Sequence, residues 1–233
     1  MTDFFAPWPD YFPQFLPGLL VTIELTVLSL VVGLALAVVF AVWASSPRRS
    51  ARWTAIAVIE IGRGVPGLIT LYIVYFGLPQ LNVTLPAFAA CVVAFGYTSA
   101  AYMSEILRAG IRSVDRGQVE AGEALSLTHA QRMRLIVLPQ AVRRVVPPLI
   151  GYAILLYQGT SLAYAVSVPE LLSRAYTAAS LSYQFASSLV LAGVMYASIS
   201  LTVLVLLRIG SARRDRPVRR LSPALLVGRR VRA

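Results

Sequence analysis

Glu60 and Arg63 stand three residues apart, and Ser99, Tyr102 and Glu105 follow one another at the same interval, so each set falls on one face of a helix. Further along, Tyr157, Gln158, Thr160 and Ser161 crowd hydroxyl and amide groups into five residues. Groups of these types pair charges and exchange hydrogen bonds with a polar solute. They are poor material for breaking bonds, because no nucleophile stands beside a base. The chain has a single His (His129) and a single Cys (Cys91), which excludes a cysteine- or histidine-rich metal site and an internal disulfide. All 21 basic residues are Arg and there is no Lys, so neither a GxxxxGK[ST] phosphate loop nor a Schiff base is available. Any nucleotide, with its Mg, must therefore be bound by another chain, and no cofactor is expected on this one.

The elements that hold these groups follow from composition. Of 233 residues, 58% are hydrophobic and 13% charged, with a mean hydropathy of +0.72, the signature of an integral membrane protein. Crossing a hydrocarbon layer of about 30 Å takes about 20 largely apolar residues. Windows of that kind predict an all-α chain with five transmembrane helices, over about 17–44, 54–78, 84–107, 140–164 and 183–207. The 41 uncharged residues 64–104 are too long for one crossing, and Gly77, Pro79 and Asn82 supply the turn that divides them. At membrane depth polar groups are costly and mark pathways, so Glu60, Arg63, Ser99, Tyr102, Glu105, Tyr157, Gln158, Thr160 and Ser161 become substrate-pathway candidates. For Thr160 and Ser161 the competing reading is a bond to their own helix backbone.

Arginine placement orients the chain, because loops kept in the cytoplasm are enriched in basic residues. Nineteen of the 21 Arg lie after the first, third or fifth span. This places the N-terminus outside and the C-terminus in the cytoplasm, as expected of a multi-pass protein of a bacterial inner or plasma membrane. Residues 1–16, with Phe4, Phe5, Trp8, Tyr11, Phe12 and Phe15, read as an external aromatic interfacial segment. Residues 209–233 form an Arg-rich cytoplasmic tail suited to anionic lipid, and lack the interleaved aromatics that would favour nucleic acid.

Between the third and fourth spans, residues 109–139 form the one sizeable polar segment. Asp115 fits an N-cap for a helix reaching Leu125, and Thr128 with Gln131 three residues on has capping-box spacing. Two short helices meeting at Ser126 are predicted, the second running into Pro139, which a straight helix cannot accommodate. A rigid elbow of this kind on the cytoplasmic side offers a docking surface to another protein.

Glu120-Ala121-Gly122, then Ser126, then Ile136-Val137-Leu138-Pro139 resembles the EAA motif of the membrane subunits of ATP-binding cassette importers, in which EAA is followed after three residues by Gly and after nine more by I-x-L-P. Gly18 to Thr26, Arg63-Gly64-Val65-Pro66, Ser99 to Glu105, Arg116 to Ala121, Leu138 to Ala141 and Thr160-Ser161-Leu162 are similar, in order, to segments of the polar amino acid permease family of histidine, glutamine and arginine type. The resemblance covers about 18–208. It implies a five-span permease domain over 17–208 that works as half of a homo- or heterodimer with a second permease subunit. It also implies a cytoplasmic ATP-binding cassette ATPase dimer that docks on Glu120, Ala121, Gly122, Ser126, Leu127, Thr128 and Gln131, and an extracytoplasmic substrate-binding protein. The expected function is ATP-driven import of a polar amino acid or related small zwitterion, with ATP hydrolysis on the partner chain and none here. Two alternatives stand beside it: an ion-coupled secondary transporter using Glu60 or Glu105, and an ATP-binding cassette permease for an amino-acid derivative such as a compatible solute or opine.

Departures from the family pattern bear on both coupling and substrate. Gly122 replaces the second Ala of EAA, and Ser126 replaces the Gly. Val65 replaces a Thr, and Gln158-Gly159 replace a Lys-Asp pair, which removes two charges from the fourth span.

Overall fold

The computed structural model describes residues 2–214, and among them it contains helices and turns but no strand. Part of the tail, 215–233, lies outside the described residues. After one turn at Thr2–Phe5 come α1 (Trp8–Ala44), α2 (Arg49–Gly64) and α3 (Gly67–Tyr72), which passes through a π-turn at Ile73–Gly77 and a 3-10 turn at Leu78–Leu81. The chain continues with α4 (Ala87–Arg112), α5 (Arg116–Ala124), α6 (His129–Arg132), a π-turn at Met133–Val137 and α7 (Leu138–Gly159) with a 3-10 extension to Val166. It closes with α8 (Leu171–Ser182) and α9 (Phe185–Arg214). Among the described residues four helices are long and apolar enough to cross a bilayer, and the bent pair α2–α3 makes a fifth if counted as one crossing.

The stretch expected as a single second span, 54–78, is divided by a bend of 105° between α2 and α3. Pro66 causes it. A proline ring pushes the preceding residue out of the helical region, and Val65 is extended at φ −85°, ψ 129°. The helix then restarts with Pro66 at its N-cap. The aromatic stretch expected as an interfacial segment is helical from Trp8 and continuous with the first crossing. Phe15 is fully buried against Leu171, Ala175, Leu191, Ala192 and Met195, with Trp8 and Tyr11 alongside. That packing needs α8, which lies outside the windows that hydropathy selects.

Between helices in lipid no hydrophobic force acts, so close packing of small residues has to hold them. The inward face of α1 carries Ser29, Gly33, Ala37 and Ala41 at steps of four, all buried. α4 answers with Ala94, Gly96, Ser99, Ala100 and Met103. The same pair of helices, with α7 and the 3-10 turn, encloses the main core of Leu25, Leu71, Cys91, Phe95, Leu156 and Val166. This axis positions both groups of polar residues described next.

Candidate functional site: a tyrosine ladder and a capped elbow

The 105° bend delivers Arg63 to the face of α4. Tyr102 donates its O–H to the Arg63 carbonyl at 3.1 Å, and the Arg63 guanidinium lies 5.8 Å over the Tyr102 ring. Tyr102 stacks on Tyr152 of α7 with ring centroids 5.5 Å apart and planes 26° apart, and Tyr152 donates to Ser99 Oγ at 3.0 Å. Glu60 binds Arg63 at 2.9 Å with both side chains well exposed, a pair that contributes little to stability on its own. The structure thus joins Glu60, Arg63, Ser99 and Tyr102 into one ladder from α2 to α7. The member that spacing alone missed is Tyr152, which stands 50 residues from Tyr102 in the sequence. Glu105 does not join this ladder. It pairs instead with Arg108 at 2.5 Å, one turn nearer the Arg-rich end.

The second group is more dispersed. Tyr157 is buried, stacks edge-on against Tyr196 of α9 at 5.4 Å, and its hydroxyl has no partner among the described residues. Gln158 donates its amide to Ser200 Oγ at 3.2 Å. Thr160 and Ser161 donate to the carbonyls of Tyr157 and Gln158 at 2.7 and 2.8 Å, so both hydroxyls hold their own helix end. Tyr157 and Ser200 line an apolar cavity of about 210 Å3 between α1, α7 and α9, with Ile23, Thr26 and Ile199. A second cavity, of about 340 Å3, opens at the Arg-poor end beside Glu24, Phe88, Ser167 and Pro169.

At the Arg-rich end the elbow is built as its caps dictate. Asp115 accepts from the Gly117 N–H at 2.7 Å, and Thr128 and Gln131 form a reciprocal capping box. α5 ends in a Schellman motif: the Ser126 N–H binds the Glu123 carbonyl at 2.8 Å, and the Leu127 N–H binds that of Gly122 at 3.1 Å. Ser126 therefore adopts φ +58°, the conformation that favours glycine. Gly122 has a steric reason of its own. A Cβ there would lie 2.8 Å from Ile136 Cδ1 and 3.1 Å from Arg132 Cγ, so its absence lets α5 press against the start of the next helix. Arg132 reaches back to an ion pair with Glu123, and Arg144 donates to the Ser113 carbonyl at the end of α4. Just before Pro139, where the sequence predicts a kink, the helix widens into the Met133–Val137 π-turn, which accommodates the missing donor and the ring. Glu120 and Ala121 are exposed, as is Leu125, leaving this face free for a partner.

A bundle of bilayer-length helices with a capped elbow at one end has recognisable relatives. The family model for binding-protein-dependent transport system inner membrane components matches residues 30–216. The chain belongs to that family. It is the permease subunit of a binding-protein-dependent ATP-binding cassette importer, an inner membrane component. It is 37% identical to the arginine transport system permease protein ArtQ of Bacillus subtilis over 90% of this chain and 94% of that one. It is 35% identical to the glutamate/aspartate import permease protein GltK of Escherichia coli over 83% and 90% of the two chains. Among solved structures, an amino acid ATP-binding cassette transporter crystallised with histidines superimposes with a TM-score of 0.86 at 32% identity, covering 90% of this chain and 98% of that chain. The methionine transporter MetNI, at 20% identity and a TM-score of 0.66, shares the fold.

Proposed function

We propose that this permease imports a polar amino acid or a related small zwitterion, with ATP hydrolysed on a separate ATPase dimer that docks on the elbow. The observation that carries the substrate class is the 37% identity to an arginine permease along nearly the whole of both chains. A second permease subunit, the same or homologous, completes the pathway, and an extracytoplasmic binding protein feeds it. The N-terminus lies outside and the elbow in the cytoplasm, which agrees with 19 of 21 Arg on one side.

The chemistry asked of the chain is passage and coupling. ATPase closure has to be transmitted by something stiff, and two caps, a Schellman turn and the Glu123–Arg132 pair make α5 and α6 a stiff unit. Polar groups at membrane depth serve the path. The Arg63–Tyr102–Tyr152–Ser99 ladder offers a cation and hydroxyls beside a broken helix, a setting that suits a zwitterion. Gln158 contributes a neutral amide, while the Thr160 hydroxyl holds its own helix end.

The test is the reconstituted complex with Glu120→Arg and Ala121→Arg together. Stimulation of ATP hydrolysis by loaded binding protein should disappear while helix content stays unchanged. Retained wild-type stimulation in that variant would defeat the docking assignment.

A further inference from the structure

Glu170 is the one carboxylate among the described residues that is entirely closed off from solvent. It lies between the two last apolar helices, at the Arg-poor end, and caps α8: Oε1 accepts from the Ser173 N–H at 2.7 Å and Oε2 from the Leu172 N–H at 2.8 Å. Oε2 also accepts the Tyr196 O–H of α9 at 2.6 Å. The next residue, Leu171, donates its N–H to Thr22 Oγ1 of α1 at 3.1 Å, and Thr22 donates in turn to the Gly18 carbonyl. The chains are tight here, since a Cβ on Gly18 would stand 2.8 Å from the Glu170 carbonyl oxygen. No ion pair of the described residues involves Glu170. Three hydrogen-bond donors on two oxygens are what holds the carboxylate, and they come from α8 and α9.

We propose that Glu170 is a positioning residue that latches α8 across the Arg-poor mouth of the pathway, and that this latch has to release when the importer opens on that side. The proposal rests on the importer reading and its orientation. α8 is too short to cross a bilayer, yet one side chain fixes both its start and its distance from α9, and one neighbouring N–H fixes it to α1. Val168 and Pro169, immediately before the latch, wall the cavity of about 340 Å3 that holds Glu24. Moving α8 therefore reshapes that cavity, and packed elements of this kind switch between discrete arrangements rather than deform smoothly.

The latch separates into a cap and a tether, and the experiment separates them too. In the complete complex in lipid nanodiscs, ATP hydrolysis is measured against binding-protein concentration, and amide exchange is followed in α8. Tyr196→Phe keeps the cap and loses the tether, and Glu170→Asp keeps a capping carboxylate too short to reach Tyr196. Both should raise hydrolysis without binding protein about tenfold and lower the half-saturating binding-protein concentration, with the maximal rate unchanged. Basal rates equal to wild type, or basal and maximal rates falling in proportion with faster exchange throughout α1 and α4, would overturn the latch. A wild-type complex indifferent to binding protein would instead sink the importer reading. Exchange in α8 would still judge the latch, which fails if Tyr196→Phe leaves the Leu171 amide, bonded to Thr22 of α1, as protected as in wild type.

Discussion

Replacing Ser126 by glycine should stiffen the elbow. Ser126 sits at φ +58°, where its Cβ crowds the backbone and costs an L-residue about 1 to 2 kcal/mol. Glycine removes that cost but gives up about 0.5 to 1 kcal/mol through its greater freedom in the unfolded chain. The balance is a stabilisation of about 0.5 to 1 kcal/mol, confined to the Schellman turn. Opening of that turn is reported by the Leu127 amide, whose bond to the Gly122 carbonyl exists only while it is closed. Its exchange should slow by about twofold to fivefold in Ser126→Gly, with α4 and α7 unaffected. Ser126→Ala provides the control, because alanine bears the same strain and the exposed Ser126 hydroxyl makes no hydrogen bond to any described residue. Slowing of equal size in the alanine variant would refute the reasoning, since side-chain chemistry rather than φ would then be at work.

Other expectations are more compact. Gly159→Asp restores a charge near Gln158, and should change the affinity for a cationic amino acid by about tenfold in substrate-stimulated ATP hydrolysis, while Thr160→Val should disturb the helix end more than selectivity. Tyr102→Phe removes the bond to the Arg63 carbonyl, and a loss of about 1 kcal/mol should appear as a lower thermal midpoint with the α2–α3 bend loosened in amide exchange. Burial pushes the Glu170 carboxyl above the usual carboxylate range, against the opposing pull of its hydrogen bonds to Tyr196, Leu172 and Ser173. A raised acid favours the folded state below its ordinary value of about 4.3, and that contribution is lost as pH rises through the raised value. Thermal stability should therefore decline with rising pH across that interval in wild type and stay flatter in Glu170→Gln.

The helices that cross the bilayer were legible because hydropathy over 20 residues is a strong signal, and the elbow because Asp115, Thr128 and Gln131 act on their immediate neighbours. Pro66 stands at the break, but the 105° bend also sets Arg63 against Tyr102 of α4, a pairing that no local pattern encodes. Glu170 was hidden for a related reason. A lone Glu after Pro169 looks like an ordinary loop charge until α1 and α9 close over it. Phe15 reads as an interfacial aromatic until α8 is known to pack there. Tyr152 escaped because a stack between α4 and α7 leaves no trace in the spacing of either helix. The preference of Thr160 and Ser161 for their own backbone was foreseeable from residue type alone, whereas the Gln158–Ser200 bond was not.

The length of α1 has a mechanical consequence. Its 37 residues extend about 55 Å, nearly twice the thickness of a hydrocarbon layer. One end is clamped by Phe15 among α8 and α9, and the other, at Ala44, packs on Ala55, Ile59 and Ala101 beside the bend. A rod held near both ends acts as a lever. Tilting it by about 4° around its midpoint carries each end about 2 Å in opposite directions over that length. Displacement beside α2 would thus register beside Glu170 without any change in the helix itself, so the two faces of the bilayer are geared together by one unbroken element.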